Sequence, residues 1–251
     1  SEKERLMEEI KRVAEELRKT VDRLRERNEK VVRDIRETVR EVEREHEDVV
    51  KELADRVREL RRTDALERLV KLLLDIIKRL VEESRKLVEL VLKIIEDNVR
   101  ALTELVKRLL RIIEELLRVL RDVEGKEELD KVKKKVRDEL KKVEEEAERI
   151  LRESERLLRE VEDTVRRIHE EVERKLREVE KRIEDSNLSE EVREVLRRLT
   201  KILRDLLKRN KEIMEKLLRD LKELLKENKK ALEDLLRKLE ELLRRIAEAE
   251  K

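Results

Sequence analysis

Apolar residues recur in this chain at alternating steps of three and four positions, and this period limits the possible fold more than any other feature. The first stripe runs from Leu6 to Leu60 in fifteen steps, which gives 3.6 residues per step and an 18-residue repeat. That period matches one face of an α-helix, so the pattern predicts long amphipathic helices. Because the average step equals the helical repeat, the apolar face needs no supercoiling, and a nearly straight bundle is expected.

The apolar stripe loses its phase at three points, and each loss predicts the end of a helix. The predicted helices cover about residues 2–61, 65–123, 127–184 and 189–249 of a single domain, 1–251. Asp64 and Glu67 are expected to form a capping box, Gly125 to follow the end of the second helix, and Ser189 to cap the fourth. Connections of a few residues force neighbouring helices to be antiparallel. The sequence therefore predicts an all-α, up-down-up-down four-helix bundle with both termini at one end.

The chain repeats itself, and its composition excludes most other architectures. Leu6 corresponds to Val132 and Leu66 to Val192, an offset of 126 residues that indicates two related hairpins in tandem. One glycine, no proline and no aromatic residue leave little material for strands or tight turns. With no cysteine and no long apolar run, we expect no disulfide, membrane span or targeting signal. Localisation is therefore unknown, and a soluble, cytoplasmic protein is expected on recombinant expression.

Polar residues interrupt the stripes at positions that we predict to form two buried layers. On two antiparallel helices, residue numbers rise along one helix while they fall along the other. Two residues at the same height along the bundle therefore have numbers whose sum is nearly constant, and this height rule sorts the polar positions. The first layer contains Asn28, Asn98, Ser154 and Asn228, and the second contains His46, Ser84, His169 and Asn210. Each unmet buried polar group costs about 1 to 3 kcal/mol, so the layers are expected to be hydrogen-bond networks that fix helix register.

A less specific interpretation is that some of these side chains tilt toward water at the edges of the stripes. It applies most to His169, which lies one residue beyond the stripe position Ile168. Thr38 and Thr164 form a further pair at the 126-residue offset, and we expect each hydroxyl to bond a carbonyl of its own helix.

Together these features resemble de novo designed helical bundles with buried hydrogen-bond networks. The resemblance covers the whole chain and rests on the Leu, Val and Ile stripes, the Glu, Lys and Arg surface, the minimal connection at 122–126 and the polar layers. It implies a structural scaffold with no natural biochemical activity. We accordingly expect no enzymatic activity, no cofactor, no required partner and no small-molecule substrate.

Catalytic and nucleic-acid functions have weak support in the sequence. Glu43 and His46 match the Glu-x-x-His spacing of di-iron bundles, but Arg166 stands three residues before His169 and no acidic residue lies on a stripe. A formal net charge of +2 without aromatic residues argues against nucleic-acid binding. The absence of Trp and Phe argues in the same way against a membrane-surface helix.

Two alternatives to a plain scaffold remain open in the sequence. Leu72, Leu74, Leu90 and Leu92 widen the apolar face of the second helix, as a self-association or partner-binding surface would require. The two histidines form the basis of the other alternative, a pH switch. With only two titratable residues in one layer, local loosening in acid is expected in place of unfolding.

Overall fold

A computed structural model of the protein describes residues 2–122 and 126–249. In these ranges the chain forms four α-helices and no strand: α1 (Glu2–Arg58), α2 (Asp64–Asp122), α3 (Lys126–Asp185) and α4 (Glu190–Ala249). The prediction of an all-α four-helix bundle is confirmed, and the predicted helix ends differ from the observed ones by three residues at most. The expectations for Gly125 and for the two chain termini lie outside the described residues.

The helix caps agree with the sequence at one connection and correct it at another. The Ser189 hydroxyl accepts a hydrogen bond from the Val192 amide at 3.3 Å, so the predicted serine cap of α4 is confirmed. At the start of α2, however, the Thr63 hydroxyl accepts the bond from the Leu66 amide at 3.2 Å. The prediction of Asp64 as the capping residue was therefore wrong by one position, and Asp64 is the first residue of the helix.

The apolar stripes become the core of the protein. Every position of the first stripe, from Leu6 on α1 to Leu60 just after it, is buried or partly buried, and on α2 every stripe position from Leu66 to Leu120 is buried. The difference follows from side-chain size, because α1 presents many valines in a narrow stripe while α2 presents leucines with apolar neighbours. Burial of this apolar surface, at about 25 cal/mol per Å², is the main favourable contribution to folding.

The chain divides into two compact units, and each unit contains a segment of all four helices. Unit 1 consists of Ser1–Val31, Ile94–Leu157 and Lys222–Lys251, and unit 2 consists of Val32–Lys93 and Leu158–Leu221. The single domain expected from the sequence stays a prediction.

Ion pairs in each unit connect helices that follow one another in sequence, and also connect α4 with α1. In unit 1 the pairs are Arg18 with Glu114, Arg108 with Glu146, Lys229 with Glu155 and Lys238 with Glu16. In unit 2 they are Arg85 with Glu43, Arg79 with Glu171, Arg204 with Glu173 and Arg209 with Glu45. Such surface pairs contribute about 0 to 1 kcal/mol each, so they add little to the stability of the fold.

Among the described residues, no helical segment combines the length and apolarity needed to cross a bilayer.

Candidate functional site: two buried polar layers

The first set of predicted polar residues lies in unit 1, with one residue on each helix. The side chains are almost completely inaccessible to water: the residue exposures are 3% for Asn28, 3% for Asn98, 8% for Ser154 and 0% for Asn228. They lie on the same helix faces as the buried leucines and isoleucines of the stripes. The alternative in which these side chains tilt toward water does not apply to this layer.

Hydrogen bonds connect these four side chains in one continuous series. Asn28 Nδ2 donates to Asn228 Oδ1, and Asn228 Nδ2 donates back to Asn28 Oδ1, each at 3.1 Å. Asn228 Nδ2 also donates to Asn98 Oδ1 at 3.0 Å, and Asn98 Nδ2 donates to Ser154 Oγ at 2.8 Å. Asn228 is the central residue because it bonds to both α1 and α2.

A backbone contact completes the donors of Asn28. Its Nδ2 also donates to the Leu24 carbonyl of the same helix at 2.6 Å. Both hydrogens of this amide therefore have acceptors, as do both hydrogens of the Asn228 amide. A carboxamide carries two donors and an acceptor on one side chain, which is why three asparagines can satisfy one another away from water.

The second set lies in unit 2 and is equally buried, with exposures of 3% for His46, 6% for Ser84, 6% for His169 and 1% for Asn210. Three of its members are in contact. Asn210 Nδ2 donates to Ser84 Oγ at 3.0 Å, and Asn210 Oδ1 lies 2.9 Å from His169 Nε2. The other ring nitrogen of His169, Nδ1, lies 2.8 Å from the Val165 carbonyl.

His46 does not join the other three residues, which corrects the expectation of four mutually bonded side chains in this layer. Its Nδ1 lies 2.6 Å from the Val42 carbonyl, while its Nε2 is buried without a hydrogen-bond partner. A carbonyl can only accept, so Nδ1 carries the proton and Nε2 of the neutral ring is an acceptor that meets no donor. The residue reaches the predicted height but lacks the predicted bond.

The surroundings of His46 favour its neutral form. Burial is the largest influence and lowers the pKa of the imidazole below its ordinary value of 6.5, while the hydrogen bond to Val42 and the charges of Glu45 and Glu43 act in the opposite direction. The positive charge of Arg85 adds to the lowering. At neutral pH the His46 ring is therefore uncharged.

A cavity of about 20 Å³ lies beside His46 in unit 2. Ser84, Met214 and Glu43 are among the residues that line it. The Glu43 carboxylate pairs with Arg85 at 3.1 Å, so it already neutralises a cation where a metal-binding Glu-x-x-His pair would direct it to the ion. Over the part of the chain that the structure describes, no three His, Asp or Glu side chains come together as metal ligands would.

Sequence reasoning missed several buried polar residues outside the two layers. Thr103, Lys133 and Thr200 have exposures of 7%, 7% and 1%. The Thr200 hydroxyl donates to the Leu196 carbonyl of its own helix at 2.8 Å. A threonine beside a stripe needs no partner from another helix, so only its position next to Leu199 could have indicated its burial.

The predicted bonding of Thr38 and Thr164 is confirmed. Thr38 Oγ1 donates to the Asp34 carbonyl at 2.9 Å, and Thr164 Oγ1 donates to the Glu160 carbonyl at 2.8 Å. Both bonds stay within one helical turn, so these hydroxyls belong to neither layer.

The wide apolar face of α2 is largely covered. Leu72, Leu90 and Leu92 are partly buried, and Leu74 is 37% exposed. Val50 on α1, at 38%, is the other exposed large apolar side chain among the described residues. Two exposed apolar side chains are few for a protein surface, of which apolar atoms ordinarily contribute more than half.

No protein-family model matches the chain, and no curated protein sequence matches it. Among solved structures, it is similar to one described as a computationally designed three helix bundle. The two chains are 21% identical, the match covers 95% of each, and the TM-score is 0.32. At that identity and score, the likeness carries no argument about what this chain does.

Proposed function

We propose that this protein is a designed structural scaffold without a natural biochemical activity, and that its two polar layers fix the register and neighbours of its helices. The observation that carries the proposal is the set of bonds centred on Asn228, which donates to Asn28 on α1 and to Asn98 on α2. Asn98 in turn donates to Ser154 on α3, so one continuous series of bonds includes all four helices.

The apolar stripes alone do not define a unique alignment. Because each stripe repeats every 18 residues, two helices that slide by one repeat would again present leucine and valine to each other. Even where the slide brings Asn28 to the height of the second layer, it leaves Asn98 and His46 without their own layers, so buried polar groups stay unmet at about 1 to 3 kcal/mol each. The polar layers thus penalise the alternatives that the apolar pattern permits, as a buried asparagine does in coiled coils.

The regular composition supports a designed origin. The chain has no aromatic residue, no proline and a single glycine, and 55% of its residues are charged. A typical soluble domain has about 25% charged residues and a broader range of residue types. The same stripes also recur at the 126-residue offset, which is simple to arrange when one hairpin is used twice.

We propose no catalytic role for either layer. Apart from Nε2 of His46, the side chains of the layers bond one another or their own backbone, and neither layer contains a carboxylate. Catalysis needs polar groups that are directed toward a substrate and kept available for it. No cofactor or partner is required for the structural role that we propose.

The test compares one fourfold apolar variant with one single variant. The fourfold change is Asn28→Leu, Asn98→Leu, Ser154→Val and Asn228→Leu, and the single change is Asn98→Leu. We expect the fourfold variant to be as stable as the parent or more so but to lose a unique association state, since a satisfied polar layer is often neutral against apolar replacements. The single variant should be less stable because its former partners stay buried.

Denaturant unfolding would measure stability, and size-exclusion chromatography with light scattering would measure the association state. Leu102→Ile, a volume-conserving change one turn from Asn98, is the matched control and should cost less than about 1.5 kcal/mol with no change in mass. If the fourfold variant keeps the parent's single mass and register, the proposed role in specificity is wrong. A parent protein that forms a defined oligomer would instead favour the assembly function considered for α2.

A further inference from the structure

The connection between α1 and α2 differs from the rest of the molecule in the placement of its basic residues. Residues 59–63 are not helical, and Arg61, Arg62 and Thr63 are exposed to solvent. In the ranges that the structure describes, every other arginine and lysine lies within one of the four helices. The described chain therefore presents basic residues in a non-helical segment at this one place.

The backbone of the two arginines is not held by hydrogen bonds. The Leu60 amide donates into the last turn of α1 at 3.0 Å, and the Thr63 carbonyl accepts from an amide of the first turn of α2 at 3.0 Å. Between these two bonds, no hydrogen bond to a described residue involves the main chain of Arg61 or Arg62. Exposed backbone without hydrogen bonds is where folded proteins are most readily cut.

We propose that the segment of Arg61 and Arg62 is a cleavage site for a serine endoprotease of arginine specificity, and that α1 stays bound in the bundle after the cut. The primary pocket of such an enzyme takes the arginine side chain. Water adds across the peptide bond that follows Arg61 or Arg62. The arginine keeps the new carboxylate, and the next residue keeps the new amino group.

The arginines and lysines of the helices are poor sites, because a protease binds its substrate in an extended form. In a helix the amides on both sides of the bond are hydrogen-bonded to their own helix, so that stretch of helix must open before cleavage. Arg166 and Arg167 show the contrast. They are adjacent and exposed, as Arg61 and Arg62 are, but they lie in the middle of α3.

The connection between α3 and α4 is restrained by ion pairs across its two ends. Arg197 on α4 donates to both carboxylate oxygens of Glu184 on α3, at 2.6 and 3.0 Å, and to Glu190 on α4 at 2.8 Å. The residue that corresponds to Arg197 at the 126-residue offset is Lys71, which forms no ion pair with a described residue. Residues 186–189 also contain no arginine or lysine. The α1–α2 connection is thus the less restrained of the two and the one with the cleavable residues.

α1 is held in the bundle by contacts that do not need the connection. Its apolar stripe is buried or partly buried, and Asn28 exchanges two hydrogen bonds with Asn228 on α4. Hydrolysis at Arg61 or Arg62 removes the covalent link between α1 and α2 and none of these contacts. The cleaved protein therefore keeps its mass and helicity in native buffer and separates into two pieces in denaturant.

Digestion of the intact chain with an arginine-specific serine endoprotease, followed by mass spectrometry, tests the site. Outside the two terminal turns at each end of the chain, we expect the first cut after Arg61 or Arg62, at least about tenfold faster than any cut within a helix. A lysine-specific endoprotease should divide the chain at least about tenfold more slowly, because the described lysines are helical. Light scattering and circular dichroism of the cleaved protein should match those of the parent within a few per cent.

Two double variants with the same loss of charge separate the connection from the helices. Arg61→Gln with Arg62→Gln should slow the first cut by about tenfold or more, since the open segment then contains no arginine. Arg166→Gln with Arg167→Gln removes an adjacent pair from α3 and should leave the rate unchanged. Equal rates for the two variants would disprove the site, as would a first cut within a helix or a lysine-specific enzyme that divides the parent as fast.

Asn187→Arg supplies the other connection with an arginine and tests the effect of restraint. We expect cleavage after this position to be slower than at Arg61 or Arg62, because the bonds of Arg197 hold both ends of the segment. Cleavage at the same rate would contradict the contrast between the connections. A cleaved protein that loses the mass of α1 in native buffer would disprove the retained helix. None of these outcomes depends on whether the polar layers fix register.

Discussion

The polar layers of unit 1 and unit 2 each take one residue from every helix, but only the first satisfies all its contacts between side chains. In unit 1 the amides of Asn28 and Asn228 exchange two hydrogen bonds. In unit 2 both histidines direct Nδ1 to carbonyls of their own helix, and Nε2 of His46 meets no donor. An asparagine brings donors and an acceptor to a layer. A neutral histidine whose Nδ1–H bonds its own helix brings only the acceptor Nε2. Burial alone therefore does not make a polar layer satisfied.

The two layers should differ most in the unfolding free energy that is lost when the asparagine on α4 is replaced, Asn228 in unit 1 and Asn210 in unit 2. Asn228→Leu leaves the oxygens of Asn28 and Asn98 and one hydrogen of Asn28 unmet, and it should cost at least about 3 kcal/mol of unfolding free energy. Asn210→Leu should cost about 2 kcal/mol or less, because Ser84 can turn to a carbonyl of its own helix. Denaturant unfolding at pH 7.5 measures both values on the same helix with the same replacement. Equal costs would mean that the layers do not differ as their bonds indicate.

Replacing His46 should leave the protein as stable or more stable, whereas replacing Asn98 should make it less stable. His46→Leu removes a buried nitrogen that has no partner, so stability at pH 7.5 should stay the same or rise by about 1 kcal/mol. Asn98→Leu removes partners from Ser154 and Asn228 and should destabilise the protein by about 1 to 3 kcal/mol. The same unfolding experiment compares the two variants. A destabilised His46→Leu protein would indicate a bond to Nε2 that the static arrangement does not contain.

Much of this comparison could be predicted from the sequence, because periodicity determines which residues face the core. The height rule selected Asn28, Asn98, Ser154 and Asn228, and these four are buried in one unit and bonded in series. The unmet His46 nitrogen could not be predicted. Position along a helix gives the height of a side chain, but the ring rotation that directs Nδ1 to Val42 decides which nitrogen faces the layer.

The cap of α2 shows a similar limit of sequence reasoning. Thr63 and Asp64 are adjacent, and both residue types cap helices well. The choice depends on which oxygen reaches the amide two or three residues ahead, and here Thr63 reaches Leu66. A pattern of residue types locates a helix end within a few positions, and backbone geometry decides the rest.

Acid should loosen unit 2 and leave the layer of unit 1 unchanged. The pKa of His46 is lowered by burial below 6.5, so its stabilising contribution is present above that pH and is lost as the pH falls below it. Amide exchange around His46 should therefore be faster at pH 5 than at pH 7.5, after correction for the intrinsic pH dependence of exchange. Exchange around Asn28, which has no titratable partner in its layer, is the internal control.

Helicity should survive this loosening. The buried apolar stripes contribute far more than one histidine can remove, so circular dichroism at pH 4 should stay within a few per cent of its value at pH 7.5. Cooperative loss of helix over this range, or equal acceleration of exchange at Asn28 and His46, would contradict the contrast between the two layers. The first of these results would favour a histidine pH switch as the function.

The smallest expected effect comes from a carboxylate pair in unit 1 and has the opposite dependence on pH. A side-chain hydrogen bond with Glu240, together with burial and the negative charges of Glu240 and Glu148, raises the pKa of Glu144 from 4.5 to about 7. The protonated form is therefore favoured by folding, so its contribution is fully present below pH 4.5 and is lost as the pH rises through about 7. Because Glu240 is exposed and Glu144 is only partly buried, solvent screens the interaction, and we expect an effect below about 1 kcal/mol.

Glu144→Gln keeps a hydrogen-bond donor beside Glu240 at every pH and should remove this dependence. Its stability relative to the parent should rise between pH 5 and pH 8, and Glu145→Gln, at the exposed neighbouring position, should show no such trend. Denaturant unfolding at several pH values on both variants provides the measurement. Since His46 in unit 2 favours high pH and Glu144 in unit 1 favours low pH, the double variant His46→Leu, Glu144→Gln should depend least on pH between 5 and 8. A double variant that retains the parent's pH profile would show that neither group is responsible for it.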